Sequence, residues 1–135
     1  PRPTLAVING AAYGGAVGLA SCCDVVIAAE DSKFCLSEVK LGILPAVIFP
    51  FLAKRMAAGA LRRYSLTARV FHGEEARLAG LVDICVPADQ VGEAVRGELV
   101  EILSATALNN KICHLIIGNY LRWNMPRSIH DFILA

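Results

Sequence analysis

The stretch NGAAYGGAVGLASCCD, Asn9 to Asp24, carries four glycines and no charged residue before its last position. Glycine is the costliest residue to order, so a run of this kind marks a place where the backbone must approach something closely. Before it, TLAVIN (Thr4–Asn9) is a continuous β-prone apolar run, suited to a strand buried on both faces. After it, DVVIAAE (Asp24–Glu30) is a second such run, and AVGLASC between them reads as a short helix. Strand, glycine turn, helix, strand predicts an α/β fold with a crossover connection.

Downstream, KFCL reads as a short third strand, and a helical stretch runs from about Phe51 through Ala68 with a break near AAGA. A further short helix covers Gly73 to Ala79, and LVDICVP is a strand that Pro87 stops. From Asp89 the period is helical again, with Val91, Val95, Leu99 and Ile102 on one stripe. Leu108, Ile112, Leu115 and Ile116 suit another amphipathic helix up to Gly118, and Pro126 separates a short tail. No repeat, low-complexity tract or linker divides the chain.

A chain of 135 residues with 56% hydrophobic and 19% charged residues is apolar for a free-standing domain. Part of its surface is expected to be covered by other segments or subunits. It opens on Pro1 and runs at once into a strand, the pattern expected of a fragment. A formal charge of +1 gives no reason to expect a nucleic-acid partner, and no lysine-rich patch suits anionic lipid. Pro3 to Cys23 is uncharged and long enough to span a membrane, but its glycines, Asn9 and Ser21 dilute it. A buried βα unit is the better reading, with no membrane partner. Five cysteines, an odd number without a C-x-x-C pair, predict buried thiols in a reducing compartment, hence the cytoplasm. His72, His114 and His130 are too scattered to suggest zinc, so no metal is expected.

Two phosphate-binding readings of the glycines fail. A dinucleotide fingerprint needs three glycines; Gly15 and Gly18 supply the last two, and Tyr13 stands where the first belongs. A P-loop needs a lysine directly after its glycines, and none occurs before Lys33. In a third reading, the Gly15 N–H opens a helix where donors are unsatisfied and the dipole is positive. Such a bare N–H can stabilise an oxygen gaining negative charge, for instance a thioester carbonyl becoming an enolate. The alternative is a turn that merely lets helix and strand pack closely, and spacing alone weighs slightly toward it. Glu38, in FCLSEVKLGILP, lies among Leu36, Val39 and Leu41 with no evident partner beyond Lys40. A carboxylate so placed is a candidate general acid or base, or else a plain turn acid.

Taken together, PTLAVINGAAYGGAVGLASCCDVVIAAEDSKFCLSEVKLGILP and RYSLTARVFHGEEARLAGLVDICVPAD resemble the crotonase, or enoyl-CoA hydratase/isomerase, superfamily. The shared order is a strand ending N-G, a GG turn and helix, C-D, a strand, then F-x-x-x-E-x-x-x-G-x-x-P and a G-L-V turn. GGAVGLASCCD with FCLSEVKLGILPAVIFPF looks most like bacterial methylglutaconyl-CoA hydratases. The resemblance implies the C-terminal part of a ββα spiral over residues 1–104, followed by a divergent helical segment over 105–135. It implies an acyl-CoA substrate, no cofactor beyond the coenzyme A of that substrate, and a homotrimer or hexamer.

The resemblance also assigns residues. Gly15 matches a backbone N–H of the oxyanion site, and Glu38 matches the second of two catalytic glutamates. The first glutamate would fall at Gly18, where it is absent. Gly14, Tyr13, Val47 and Ile48 fall where the substrate is expected, and PAVIFP stands where the family commonly has P-G-x-G-G. One oxyanion donor and much of the adenine-binding surface would belong to a segment upstream of Pro1, so this stretch alone is expected to be inactive. The leading expectation is hydration of an α,β-unsaturated acyl-CoA to a 3-hydroxyacyl-CoA. A double-bond isomerase needs only one base and is a close alternative; a non-catalytic assembly subunit is a third.

Other residues are expected in structural roles. Asp24 reads as an acid at the helix-to-strand turn, and His72 as a loop residue ahead of a helix. Lys54, Arg55, Arg62 and Arg63 read as a solvated helix face, though a phosphate contact with coenzyme A is conceivable for them. Ser21 lacks a hydrolase nucleophile elbow, and Tyr120 and Trp123 read as packing residues.

Overall fold

The computed structural model describes residues 3–105 and 114–116. Strand β1 (Thr4–Ile8) pairs in parallel with β3 (Val25–Ala29), and β3 in turn with β6 (Ile84–Val86). On its other edge β1 takes β7 (His114–Ile116), giving a parallel sheet in the order β6-β3-β1-β7. A smaller sheet, β2-β4-β5, is built from β2 (Ala11–Tyr13), β4 (Lys33–Cys35) and β5 (Phe71–His72). β2 and β4 run parallel, and β5 antiparallel to β4.

The continuous apolar runs are needed because the main sheet is covered on both faces. Leu5, Val7, Ile27 and Ala29 point to one side, against Val91, Val95 and Leu99 of α5 (Val91–Ala105). Each of those three helix side chains contributes about 1.5–3 kcal/mol by leaving water. Ala6, Ile8, Val26 and Ala28 point to the other side, into a larger core with α1 (Gly15–Ser21), α2 (Phe49–Arg55), α3 (Ala58–Thr67) and α4 (Gly73–Leu78). Phe71 joins the two layers of that core, stacking on Tyr64 with centroids 3.9 Å apart and on Phe34 at 5.6 Å.

The break expected near AAGA falls at Met56 and Ala57, between α2 and α3, where the Ala57 N–H leaves the helix and donates to Ala79 O. His72 is the cap residue of α4, and its N–H donates to Glu75 Oε2 at 3.1 Å. Asp24 ties the turn into β3 back to β1, accepting from Thr4 N and Thr4 Oγ1, both at 2.7 Å. Those Thr4 hydrogen bonds hold its carboxyl below the usual carboxylate range. Cys23, Cys35, Cys85 and Cys22 are all free thiols. Burial pushes the Cys23 and Cys85 thiols up, which disfavours the reactive thiolate.

Three expectations are corrected. His114–Ile116 is a strand and not part of a helix, because the open backbone edge of β1 offers parallel pairing that an isolated helix stripe cannot match. The rest of the segment expected to be helical, with Tyr120, Trp123 and His130, lies outside the described residues. The strand expected over LVDICVP shrinks to Ile84–Val86, since Leu81 and Val82 turn back and donate to Ala76 O.

Arg55 is the third. It does not belong to a solvated face: its guanidinium donates to Cys23 O at 2.7 Å and Leu81 O at 3.0 Å, and pairs with Asp83. Asp83 Oδ2 accepts in turn from Val26 N at 2.7 Å, so one fork joins the ends of α1 and α2 to the turn before β6. Arg55→Ala is expected to lower stability by about 2–3 kcal/mol, because two carbonyls and a carboxylate lose their donor. Arg55→Lys should recover less than half of that, lacking the planar fork. Urea denaturation of the three proteins checks both.

Candidate active site

Parallel pairing of β2 with β4 sets the Tyr13 end beside the Cys35 end. The chain leaves both strands at the same edge, so the segments after them, Gly14–Gly15 and Leu36–Glu38, emerge side by side. Ligands of α/β folds gather at such carboxyl ends of parallel strands. The Gly14 N–H donates to Cys35 O at 2.9 Å and locks the two exits together.

Gly14 has φ 54° and ψ −122°, a conformation that only glycine adopts without strain. It lets the chain turn sharply from β2 into α1. The Gly14 carbonyl accepts from Val17 N at 2.9 Å and Gly18 N at 3.3 Å, so both polar groups of Gly14 are engaged. Gly15 differs. It opens α1, it is exposed, and its N–H has no hydrogen-bond partner among the described residues.

Glu38 begins a single 3₁₀ turn, Glu38–Leu41, closed by Gly42 in the left-handed region. Its side chain reaches back over α1: a Cβ added to Gly14 would lie 3.3 Å from Glu38 Oε1 and 3.5 Å from Ser37 Oγ. Glu38 Oε2 is buried with no hydrogen-bond partner among the described residues. Buried polar atoms are normally satisfied, so an orphan carboxylate oxygen beside a free amide marks a place that a ligand would complete. Lys40, the neighbour expected to pair with it, is exposed and forms no ion pair with it.

The remaining candidates scatter around this pair. Tyr13, at the end of β2, is exposed, and so is Val47, at 83% of its full area. Ile48 packs on Gly18: a Cβ there would lie 2.6 Å from Ile48 Cβ and closer still to its Cγ2. The structure thus brings Gly14 and Glu38 together with Gly15 next in the chain, seats Ile48 on Gly18, and leaves Val47 facing outward. Nothing local in the sequence flags the Ile48–Gly18 contact, which joins residues in different elements. Ser37 was likewise not singled out. Beside the Glu38 turn lies a cleft of about 480 Å³, walled by Val39, Leu44, Phe49 and Leu66. Arg62 and Ser65 are its polar members, and Ser65 Oγ is buried without a hydrogen-bond partner among the described residues. Among the described residues, no group of three His, Cys, Asp or Glu side chains could hold a metal, and no helix is long and apolar enough to cross a membrane.

Residues 1–116 match the family model described as enoyl-CoA hydratase/isomerase. The chain belongs to that family. It is 38% identical over 107 residues to the enoyl-CoA hydratase AFT6-1 of Alternaria alternata, covering 79% of this chain and 36% of that protein. It is 35% identical over 103 residues to the mitochondrial methylglutaconyl-CoA hydratase of Rattus norvegicus, covering 76% of this chain and 33% of the relative. Among solved structures, an enoyl-CoA hydratase from Shewanella pealeana superposes with a TM-score of 0.72 at 42% identity, over 77% of this chain and 38% of that one. The fold is that of the crotonase enzymes, and the chain spans 33–38% of the length of these relatives.

The strained glycine gives a direct check on how the site is built. Gly14→Ala is expected to lower stability by about 1–3 kcal/mol, through its positive φ and the pressure of the new methyl on Glu38. Gly97→Ala, in the open middle of α5, should instead raise stability by up to about 1 kcal/mol. Thermal or urea unfolding of the pair reads the contrast.

Proposed function

We propose that the complete protein hydrates an α,β-unsaturated acyl-CoA thioester to the 3-hydroxyacyl-CoA, with Glu38 as acid and base and the Gly15 amide as an oxyanion donor. The observation that carries this reading is the orphan oxygen of Glu38, whose carboxylate lies against Gly14, the residue before the unengaged amide that opens α1. Membership of the hydratase/isomerase family supports the substrate class.

In this reading the thioester oxygen accepts a hydrogen bond from the Gly15 N–H, which draws electron density from the β-carbon. Water adds its oxygen to that carbon while one of its protons passes to the Glu38 carboxylate. The C2–C3 π pair moves toward the thioester, and the resulting enolate is held by the amide and the helix dipole. Glu38 then returns its proton to C2. Water is consumed, no electron carrier is needed, and the carboxylate ends as it began. The exposed apolar run Leu41, Ile43, Leu44 and Val47 supports burial against other parts of the complete protein or further copies of it, in keeping with a homotrimer or hexamer.

A second reading has a specific observation behind it. Ile48 fills the space beside Gly18, so the described site has one carboxylate where two usually position water. One carboxylate is enough to take a proton from C2 of a 3-enoyl-CoA and deliver one to C4, moving the double bond.

Glu38→Gln in the complete protein is expected to lower kcat about 10²–10⁴-fold while leaving the fold intact. A fall of less than threefold would remove Glu38 from the chemistry. Turnover of 2-enoyl-CoA and 3-enoyl-CoA in ¹⁸O-labelled water separates the two readings. Hydration puts the label into 3-hydroxyacyl product, whereas isomerisation exchanges the two alkenes without label.

A further inference from the structure

Gly14 caps α1 and Gly18 lies one turn into it, its N–H donating to the Gly14 carbonyl at 3.3 Å. Neither glycine carries a side chain, and two groups from the segment after β4 cover them. The Glu38 carboxylate covers Gly14, and the branched end of Ile48 covers Gly18. The backbone positions they cover are joined by the Gly18 N–H to Gly14 O hydrogen bond, one turn apart along the chain. Gly15, with its free amide, lies at the Glu38 end.

We infer that Ile48 is a specificity-determining residue of this site, an apolar wall keyed into the bare backbone at Gly18 that limits the group carried on the β-carbon of the substrate. The inference rests on the acyl-CoA reading above. A thioester whose oxygen sits at the Gly15 N–H and whose C2 and C3 lie within reach of Glu38 has Ile48 as the next neighbour along α1. Ile48 is only half-buried, so part of it faces open space, while its Cβ and Cγ2 are clamped on Gly18. A β-branched side chain has little χ1 freedom, and one gripped at its branch point cannot swing aside for a larger substrate. It offers no polar atom to a hydroxyl or carboxylate, so it accepts a small apolar substituent and rejects a bulky or polar one. Gly18 is the counterpart that makes room for it: any side chain at 18 would force Ile48 out of place.

The test uses the complete protein and two thioesters, but-2-enoyl-CoA and its β-methyl-branched analogue 3-methylbut-2-enoyl-CoA. In Ile48→Ala the kcat/KM ratio of branched to unbranched substrate is expected to rise about tenfold over the unmodified protein, and in Ile48→Val about threefold. Gly18→Ala should cut turnover of both at least tenfold, and Gly18→Ala combined with Ile48→Ala should restore most of it. A ratio unchanged within twofold in both Ile48 variants, with unbranched turnover retained, overturns the inference and leaves the acyl-CoA reading standing. A double variant no better than Gly18→Ala also overturns it. Failure of the unmodified complete protein to turn over either thioester removes both.

Discussion

Two parallel strands cannot be joined by a tight turn, and β1 and β3 are parallel neighbours buried on both faces. The chain between them must leave the sheet, cross over and return within Asn9–Asp24. It does so with one short strand and a two-turn helix. That economy sets the architecture: α1 has to lie hard against the sheet, and its glycines are what allow the segment after β4 to lie hard against α1. Arg55 holds the far end of the same crossover, reaching the carbonyl of Cys23 where α1 has ended and the return to β3 begins.

Much of this could be read from the residues, and the exceptions have physical reasons. β1, β3 and the helix between them follow from apolar runs and the glycine turn, signals that lie within one element. The stripe of Val91, Val95 and Leu99 correctly gave the sheet-facing side of α5. β2 and β5 were not foreseen, since strands of three and two residues have no period to detect and exist only through their pairing with β4. Arg55 was misplaced because its acceptors are main-chain carbonyls remote in sequence, invisible to any count of charged neighbours. Of the site, the glycine turn and Glu38 stood out as chemistry without a partner. Their proximity came only with the register of β2 on β4, and the fit of Ile48 into Gly18 only with side-chain coordinates.

In the proposed reading the site divides its labour between backbone and side chain. A main-chain amide is fixed by the geometry of α1 and cannot titrate, so the donor is ready whatever the pH. The carboxylate is the movable part, held by a 3₁₀ turn whose own hydrogen bonds run within Ser37–Ile43. The cleft beside that turn is walled by side chains of the same loop and of α3, so the loop borders two adjoining spaces at once.

A helix of seven residues with glycines at its first and fourth positions is a poor helix by its own means. Each glycine raises the entropy lost on ordering, and the bare face gives up the side-chain contacts that would offset it. At Gly18 the missing contact is supplied by Ile48, and at the cap residue Gly14 by Glu38, both arriving from beyond β4. The packing of α1 therefore leans on the docking of that loop. Amide exchange at Gly18 would then report the seating of Ile48 as much as the winding of the helix itself.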